Sequence, residues 1–252
     1  TAAYATPAEL IQVAQRAGAA GIAFTYSEPA VWLEYVLDVS ALAREAGLYT
    51  VYVTNSFVSE AALELMAPYV DVLCSDIKSL RDDFYREICP VARVDQVLGS
   101  IEKAQRLGIH VETRTNVIPG RNDDPEELRR IALWIRDHLG ADSPWHITRF
   151  FPAFKLSHLP ATPQDILMTA QRNALSLGLR NAYLVADKGC DCAGENRPVA
   201  EWLGGGPAVH ETKKCGAACC GDQGILLRKY ERQASADSPR AEAEMPGSSD
   251  VY

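Results

Sequence analysis

Apolar, β-branched runs recur at residues 22–26, 50–54, 72–77, 110–118, 145–151 and 181–186, and each reads as a strand. Runs such as Val51-Tyr52-Val53 are continuous rather than alternating, as expected of strands covered on both faces. The intervening segments carry helix start signals. Thr6-Pro7-Ala8-Glu9 supplies an N-cap, a first-turn proline and a glutamate at N3; Asp124-Pro125-Glu126-Glu127 repeats the arrangement, and Thr162-Pro163-Gln164-Asp165 nearly does. These signals predict helices over 7–17, 30–46, 60–67, 92–107, 125–139 and 163–177. In the second of them Val31, Leu33, Tyr35, Val36, Val39, Leu42 and Ala43 form a broad apolar face that needs a sheet to cover it.

Alternating strands and helices predict parallel βαβ units. A doubly wound open sheet and a (β/α) barrel share that alternation, and the strand ends tilt the choice. Polar residues close each apolar run at its carboxyl end: Ser27-Glu28, Thr54-Asn55, Asp76 with Lys78, Asn116 and Arg149. In a barrel all these ends converge on one mouth, whereas an open sheet spreads them along a crevice. The expectation is therefore an α/β fold with a partial (β/α) barrel over residues 1–186, with too few repeats to close on eight strands. Residues 187–230, broken by Gly204-Gly205-Gly206-Pro207, are expected to form a small Cys-rich appendage. Residues 231–252, rich in Ala, Ser, Pro and charge, are expected to be a disordered tail.

Composition narrows the partners. A chain of 252 residues that is 47% hydrophobic suits one core, and no apolar run reaches the ~18 residues needed to span a bilayer. A net charge of −8 opposes non-specific attraction to nucleic acid or an anionic membrane, so neither is expected as a partner. Seven cysteines, five of them late in the chain, favour a metal site in the cytoplasm or another reducing compartment over a disulfide framework. Cys190, Cys192, Cys215, Cys219 and Cys220 are the candidate metal ligands. Zinc held by four of these thiolates, an iron–sulfur cluster and no metal at all are the three readings of that group.

Several strand-end residues could carry chemistry. Glu28 precedes Pro29, which keeps it out of the α conformation; it is either an acid at a helix N-terminus or a ligand-binding carboxylate. Asp76 and Lys78 flank Ile77 and share one strand face, where they can bind a zwitterion or each other. Ser59 is better placed than Asn55 to cap the third helix, which frees Asn55 for the mouth. His110, Glu112 and Arg114 lie opposite Val111, Thr113 and Thr115, and spacing alone leaves open which set sees the lumen. His146 shares a face with Thr148, and Arg149 falls on the other.

Five short motifs in one order identify a family resemblance: Thr25-Tyr26-Ser27-Glu28-Pro29, Val53-Thr54-Asn55, Ser75-Asp76-Ile77-Lys78, Val117-Ile118-Pro119-Gly120-Arg121-Asn122-Asp123 and Pro144-Trp145-His146-Ile147-Thr148-Arg149-Phe150-Phe151-Pro152. They resemble the AmmeMemoRadiSam-type radical S-adenosylmethionine (SAM) proteins, relatives of the pyruvate formate-lyase activating enzymes. The resemblance implies a [4Fe-4S] cluster and SAM as cofactors, an external electron donor, and a 5′-deoxyadenosyl radical acting on a small-molecule or protein substrate. It also implies that Glu28, Asn55, Asp76, Lys78, Arg114 and Asn116 line the cofactor cavity, with His146 and Arg149 nearer the substrate. Family members place Cys-x3-Cys-x2-Cys after their first barrel strand, and this chain shows no such spacing. The expectation is a truncated chain, lacking the first strand unit and inactive by itself; the alternative is a degenerate barrel serving as a non-catalytic binding or scaffold protein.

Overall fold

A computed structural model describes residues 5–90 and 92–185. Among the described residues six strands form one parallel sheet: β1 (Gly21–Phe24), β2 (Tyr49–Thr54), β3 (Val72–Asp76), β4 (His110–Val117), β5 (Trp145–Arg149) and β6 (Ala182–Val185). They lie side by side in chain order, and β1 and β6 are the two edges, so the barrel is partial and open. Among the described residues seven α-helices connect or flank them: α1 (Pro7–Arg16), α2 (Leu33–Glu45), α3 (Glu60–Met66), α4 (Asp82–Ile88), α5 (Val94–Arg106), α6 (Pro125–Trp134) and α7 (Gln164–Ser176). Parallel crossovers are right-handed as a rule, and with strands in sequential order this places the connecting helices on one face of the sheet.

The start signals at Thr6, Ser59 and Asp124 act as written, whereas that at Thr162 does not: α7 opens without a side-chain cap, and the Thr162 hydroxyl accepts from the Phe150 N–H and donates to the Val117 carbonyl. Thr6 and Glu9 form a reciprocal capping box, Ser59 Oγ accepts from the Ala62 N–H, and Asp124 accepts from the Glu126 N–H. Several boundaries differ from the sequence reading, and one short helix was not predicted. The segment after Glu28 opens as a 3₁₀ turn over Pro29–Trp32, and the helix predicted to 139 ends in a π turn over Ile135–Leu139. The short α4 escaped a periodicity reading because it spans only two turns, although Phe84 and Tyr85 bury its inner side. β5 stops at Arg149 because the Phe150 N–H turns aside to the Thr162 hydroxyl at 2.9 Å.

The core fills the layer between sheet and helices. Tyr52, Leu73, Val111, Trp145 and Ile147 from the strands meet Val36, Leu63, Ile101 and Ile131 from the helices. Trp145 is fully buried and donates its indole N–H to Thr115 Oγ1 at 2.9 Å, so its polar atom is not stranded. β1 begins with glycine for a local reason: a Cβ on Gly21 would stand 2.5 Å from the Tyr49 carbonyl oxygen.

No helix among the described residues is long and apolar enough to cross a membrane. The expected appendage, the expected tail, and Cys190, Cys192, Cys215, Cys219 and Cys220 lie outside the described residues.

Candidate functional site

Strand register assembles the site. Asp76 pairs with Arg114, Arg114 with His146, and His146 with Tyr183, so one row of side chains crosses four strands. Thr113, Thr115, Trp145 and Ile147 are buried against the helices. Alternation therefore turns Glu112, Arg114 and His146 to the open face. That settles which set on β4 sees the lumen: His110, Glu112 and Arg114.

At the carboxyl end of β3, opposite Arg114 within β4, Asp76 bridges two cations. Its Oδ2 lies 2.6 Å from Lys78 Nζ and its Oδ1 2.7 Å from Arg114 Nε. Only 16% of the Asp76 side chain is exposed, so the three charges interact through a poorly screened medium. Burial pushes the Asp76 carboxyl up, but Lys78 and Arg114 outweigh it and hold the group below its ordinary value. Burial likewise works against the Arg114 charge, and Asp76 more than offsets it. Two cations against one carboxylate leave this corner with an excess of positive charge.

One row deeper, Glu112 Oε2 pairs with His146 Nε2 at 2.8 Å and Oε1 lies 3.4 Å from His110 Nε2. Burial raises the Glu112 carboxyl, yet the two imidazoles dominate and bring it down to about 2. The His146 ring also stacks on Tyr183, with centroids 5.6 Å apart. Cys74, beside Glu112 in register, has its thiol pushed up to about 12 by burial, against the pull of Arg114. It is therefore a neutral thiol at neutral pH.

Because Glu112 is more acidic folded than unfolded, it contributes stability that is fully present above its ordinary value of 4.5 and lost as pH falls toward about 2. Glu112→Gln is expected to remove a contribution on the order of 2 kcal/mol near neutral pH, and to flatten the decline of stability between those two pH values. Urea unfolding of both proteins at a series of pH values checks this. Parallel acid limbs would contradict it.

Glu28 and Asn55 meet at the ends of β1 and β2. Glu28 accepts from the Thr54 hydroxyl at 2.7 Å, from the Asn55 N–H at 2.9 Å and from the Ala30 N–H at 3.4 Å. It caps the 3₁₀ turn and ties two strand ends together. Asn55 Oδ1 accepts from the Phe57 N–H at 3.0 Å, which orients its amide across the loop. Asn116 is exposed at the rim, with its Oδ1 3.5 Å from the Thr148 hydroxyl. Arg149 is not gathered with this group. It pairs in register with buried Val117, on the side of β5 away from His146, and its guanidinium lies 5.3 Å from the Phe151 ring centroid.

The structure thus brings Asp76, Lys78, Arg114, Glu112 and His146 together. In the sequence Glu112 is marked only as one of three alternating residues, His110, Glu112 and Arg114. Its partner is 34 positions away, and only the β4–β5 register reveals it.

A sequence model described as the radical SAM superfamily matches residues 3–132. An uncharacterized protein of Methanocaldococcus jannaschii is 37% identical over 179 residues, which cover 71% of this chain and 53% of that protein. The (2S)-3-sulfopropanediol dehydratase activating enzyme of Klebsiella oxytoca is 26% identical over 120 residues, covering 48% and 38%. The pyruvate formate-lyase-activating enzyme of Clostridium pasteurianum is 26% identical over 119 residues, covering 46% and 48%. The chain spans about half or less of the length of these curated relatives. Among solved structures, a domain of pyruvate-formate lyase-activating enzyme from Bacteroides vulgatus superposes with a TM-score of 0.56 at 16% identity, covering 66% of this chain and 99% of that one. A radical SAM methyltransferase from Sphaerobacter thermophilus superposes with a TM-score of 0.59 at 15% identity, covering 73% and 59%. At such identities these two likenesses speak for the shared partial-barrel fold.

Proposed function

The chain belongs to the radical SAM superfamily, and from that footing we propose that its open sheet face binds the amino-acid end of SAM. The superfamily implies SAM together with a [4Fe-4S] cluster, which when bound supplies the electron for cleaving the sulfonium bond. The observation that carries the reading is the Asp76–Lys78–Arg114 trio where the end of β3 meets β4. The methionyl part of SAM offers an ammonium and a carboxylate 1,2 to each other; Asp76 suits the first, and Lys78 or Arg114 the second. Asn116 at the rim, with Glu28 and Asn55 across the strand ends, would border the same cavity, and His146 would stand on its substrate side.

The cluster does not fit the described residues. Their two cysteines are Cys74, inside β3 with a protonated thiol, and Cys89, at the end of α4; no group of described His, Cys, Asp and Glu residues is arranged to hold a metal ion. The substrate, whether small molecule or protein, and the electron donor are not chosen by these residues.

Titration calorimetry of the 252-residue protein with SAM is expected to show saturable binding, weakened tenfold or more by Lys78→Ala. No saturable binding would overturn the reading of the site. The same protein, reconstituted anaerobically with iron and sulfide and given dithionite and SAM, is expected to release no 5′-deoxyadenosine above a protein-free control. Sustained release would show that cluster ligands exist beyond the described residues.

A further inference from the structure

Asn122 belongs to the Pro119-Gly120-Arg121-Asn122-Asp123 turn after β4, a motif that the site itself does not use. Its side chain is fully buried, and every polar atom of its amide is engaged. Nδ2 donates to the Lys78 carbonyl at 2.6 Å and to the Asn116 carbonyl at 3.0 Å, while Oδ1 accepts from the Ile118 N–H at 2.6 Å. The turn is held in shape by its own bonds: Asp123 accepts from the Gly120 N–H at 2.9 Å, and Gly120 adopts φ +70°, which its lack of a Cβ permits.

The location of the amide matters. The β3–β4 ladder runs out at Ile77, whose N–H reaches the Arg114 carbonyl and whose carbonyl accepts from the Thr115 hydroxyl. Asn122 takes over at the next residue, where strand pairing no longer sets the separation of the two chains. Beyond it Glu127, 1% exposed, accepts from the Ser79 hydroxyl at 2.6 Å and the Leu80 N–H at 2.7 Å, and the Lys78 N–H points to Tyr85 Oη at 3.3 Å. The main chain of Lys78 is thus tied at both its N–H and its carbonyl. A packing role alone would be served by an apolar side chain, at no cost of burying an amide.

We propose that Asn122 is a positioning residue: its amide clasps the backbone of Lys78 to that of Asn116 and so sets the gap between the β3 and β4 groups that receive the ligand. The inference rests on the SAM reading of that site. A preformed gap spares the ordering of Lys78 on binding, so affinity should depend on a residue with no place in the cavity.

The test compares Asn122→Asp, which keeps the shape but places oxygen where both donors were, with Leu179→Ala, a fully buried change beside β6 that lowers stability without touching the clasp. SAM affinity is measured by titration well below the unfolding midpoints, and backbone hydrogen exchange is followed over residues 77–81. Asn122→Asp is expected to weaken SAM binding tenfold or more and to speed exchange over 77–81. Leu179→Ala is expected to hold affinity within twofold despite a comparable loss of thermal stability. Affinity within twofold for Asn122→Asp, or equal losses in both variants, would overturn a positioning role. If Asn122→Asp does not fold, Asn122→Ser, which retains one donor, carries the same comparison. Should the unmodified protein bind no SAM, the site reading fails, and hydrogen exchange alone decides the clasp. Unchanged exchange over 77–81 in the variant would then refute it, and acceleration confined to that segment would support it.

Discussion

Asp76→Ala is expected to abolish measurable SAM binding and to destabilise the fold by about 2–3 kcal/mol at neutral pH. Removing this carboxylate leaves Lys78 and Arg114 as two like charges with no counter-ion between them. Breaking a fully buried pair typically costs about 3–5 kcal/mol, and the lower figure applies here because Arg114 keeps 36% and Lys78 26% of its side chain in water. The pH dependence has a definite sign. The folded carboxyl is more acidic than the unfolded one, so its contribution is present above the ordinary aspartate value of 3.8 and is lost as pH falls through the lowered folded value. The stability gap between the unmodified protein and Asp76→Ala should therefore be widest near neutrality and narrow in acid. Urea unfolding at pH 7 and below pH 4 reads the gap, and SAM titration reads the site. A variant as stable as its parent that still binds SAM would remove Asp76 from both roles.

Trp145→Ala is expected to cost about 3–5 kcal/mol, enough to lower the unfolding midpoint by on the order of 10 °C. The indole is completely buried on the helix side of β5, and its truncation both opens a cavity and strands the Thr115 hydroxyl's partner position. Its effect should be read mainly in thermal unfolding. Because Trp145 faces away from the row formed by Asp76, Arg114 and His146, the protein that remains folded at low temperature is expected to bind SAM with near-parental affinity. A loss of affinity out of proportion to the loss of stability would mean that the helix-side core transmits directly to the open face. The contrast with Asp76→Ala is useful: alternate faces of one sheet carry stability and binding as separable properties.

The alternation of apolar runs with capped helical segments was enough to determine the parallel α/β architecture, because burial on both faces and the 3.6-residue period leave direct marks on residue order. Capping by Thr6, Ser59 and Asp124 was legible for the same reason, since each acts within a few residues of itself. The shared face of Asp76 and Lys78 followed from their spacing of two. Tertiary structure alone decided what those side chains do. Arg114 joins Asp76 across 38 positions, His146 joins Glu112 across 34, and Asn122 reaches Lys78 across 44. Such contacts depend on strand register and on the path of a turn, and neither is encoded in any local window. The opposite faces of His146 and Arg149 followed from alternation along β5, whereas tertiary structure engaged Glu28 in a clasp between β1 and β2. Local sequence order specifies which elements form; the closing of long-range hydrogen bonds and ion pairs, possible only once those elements are packed, specifies which residues share a site.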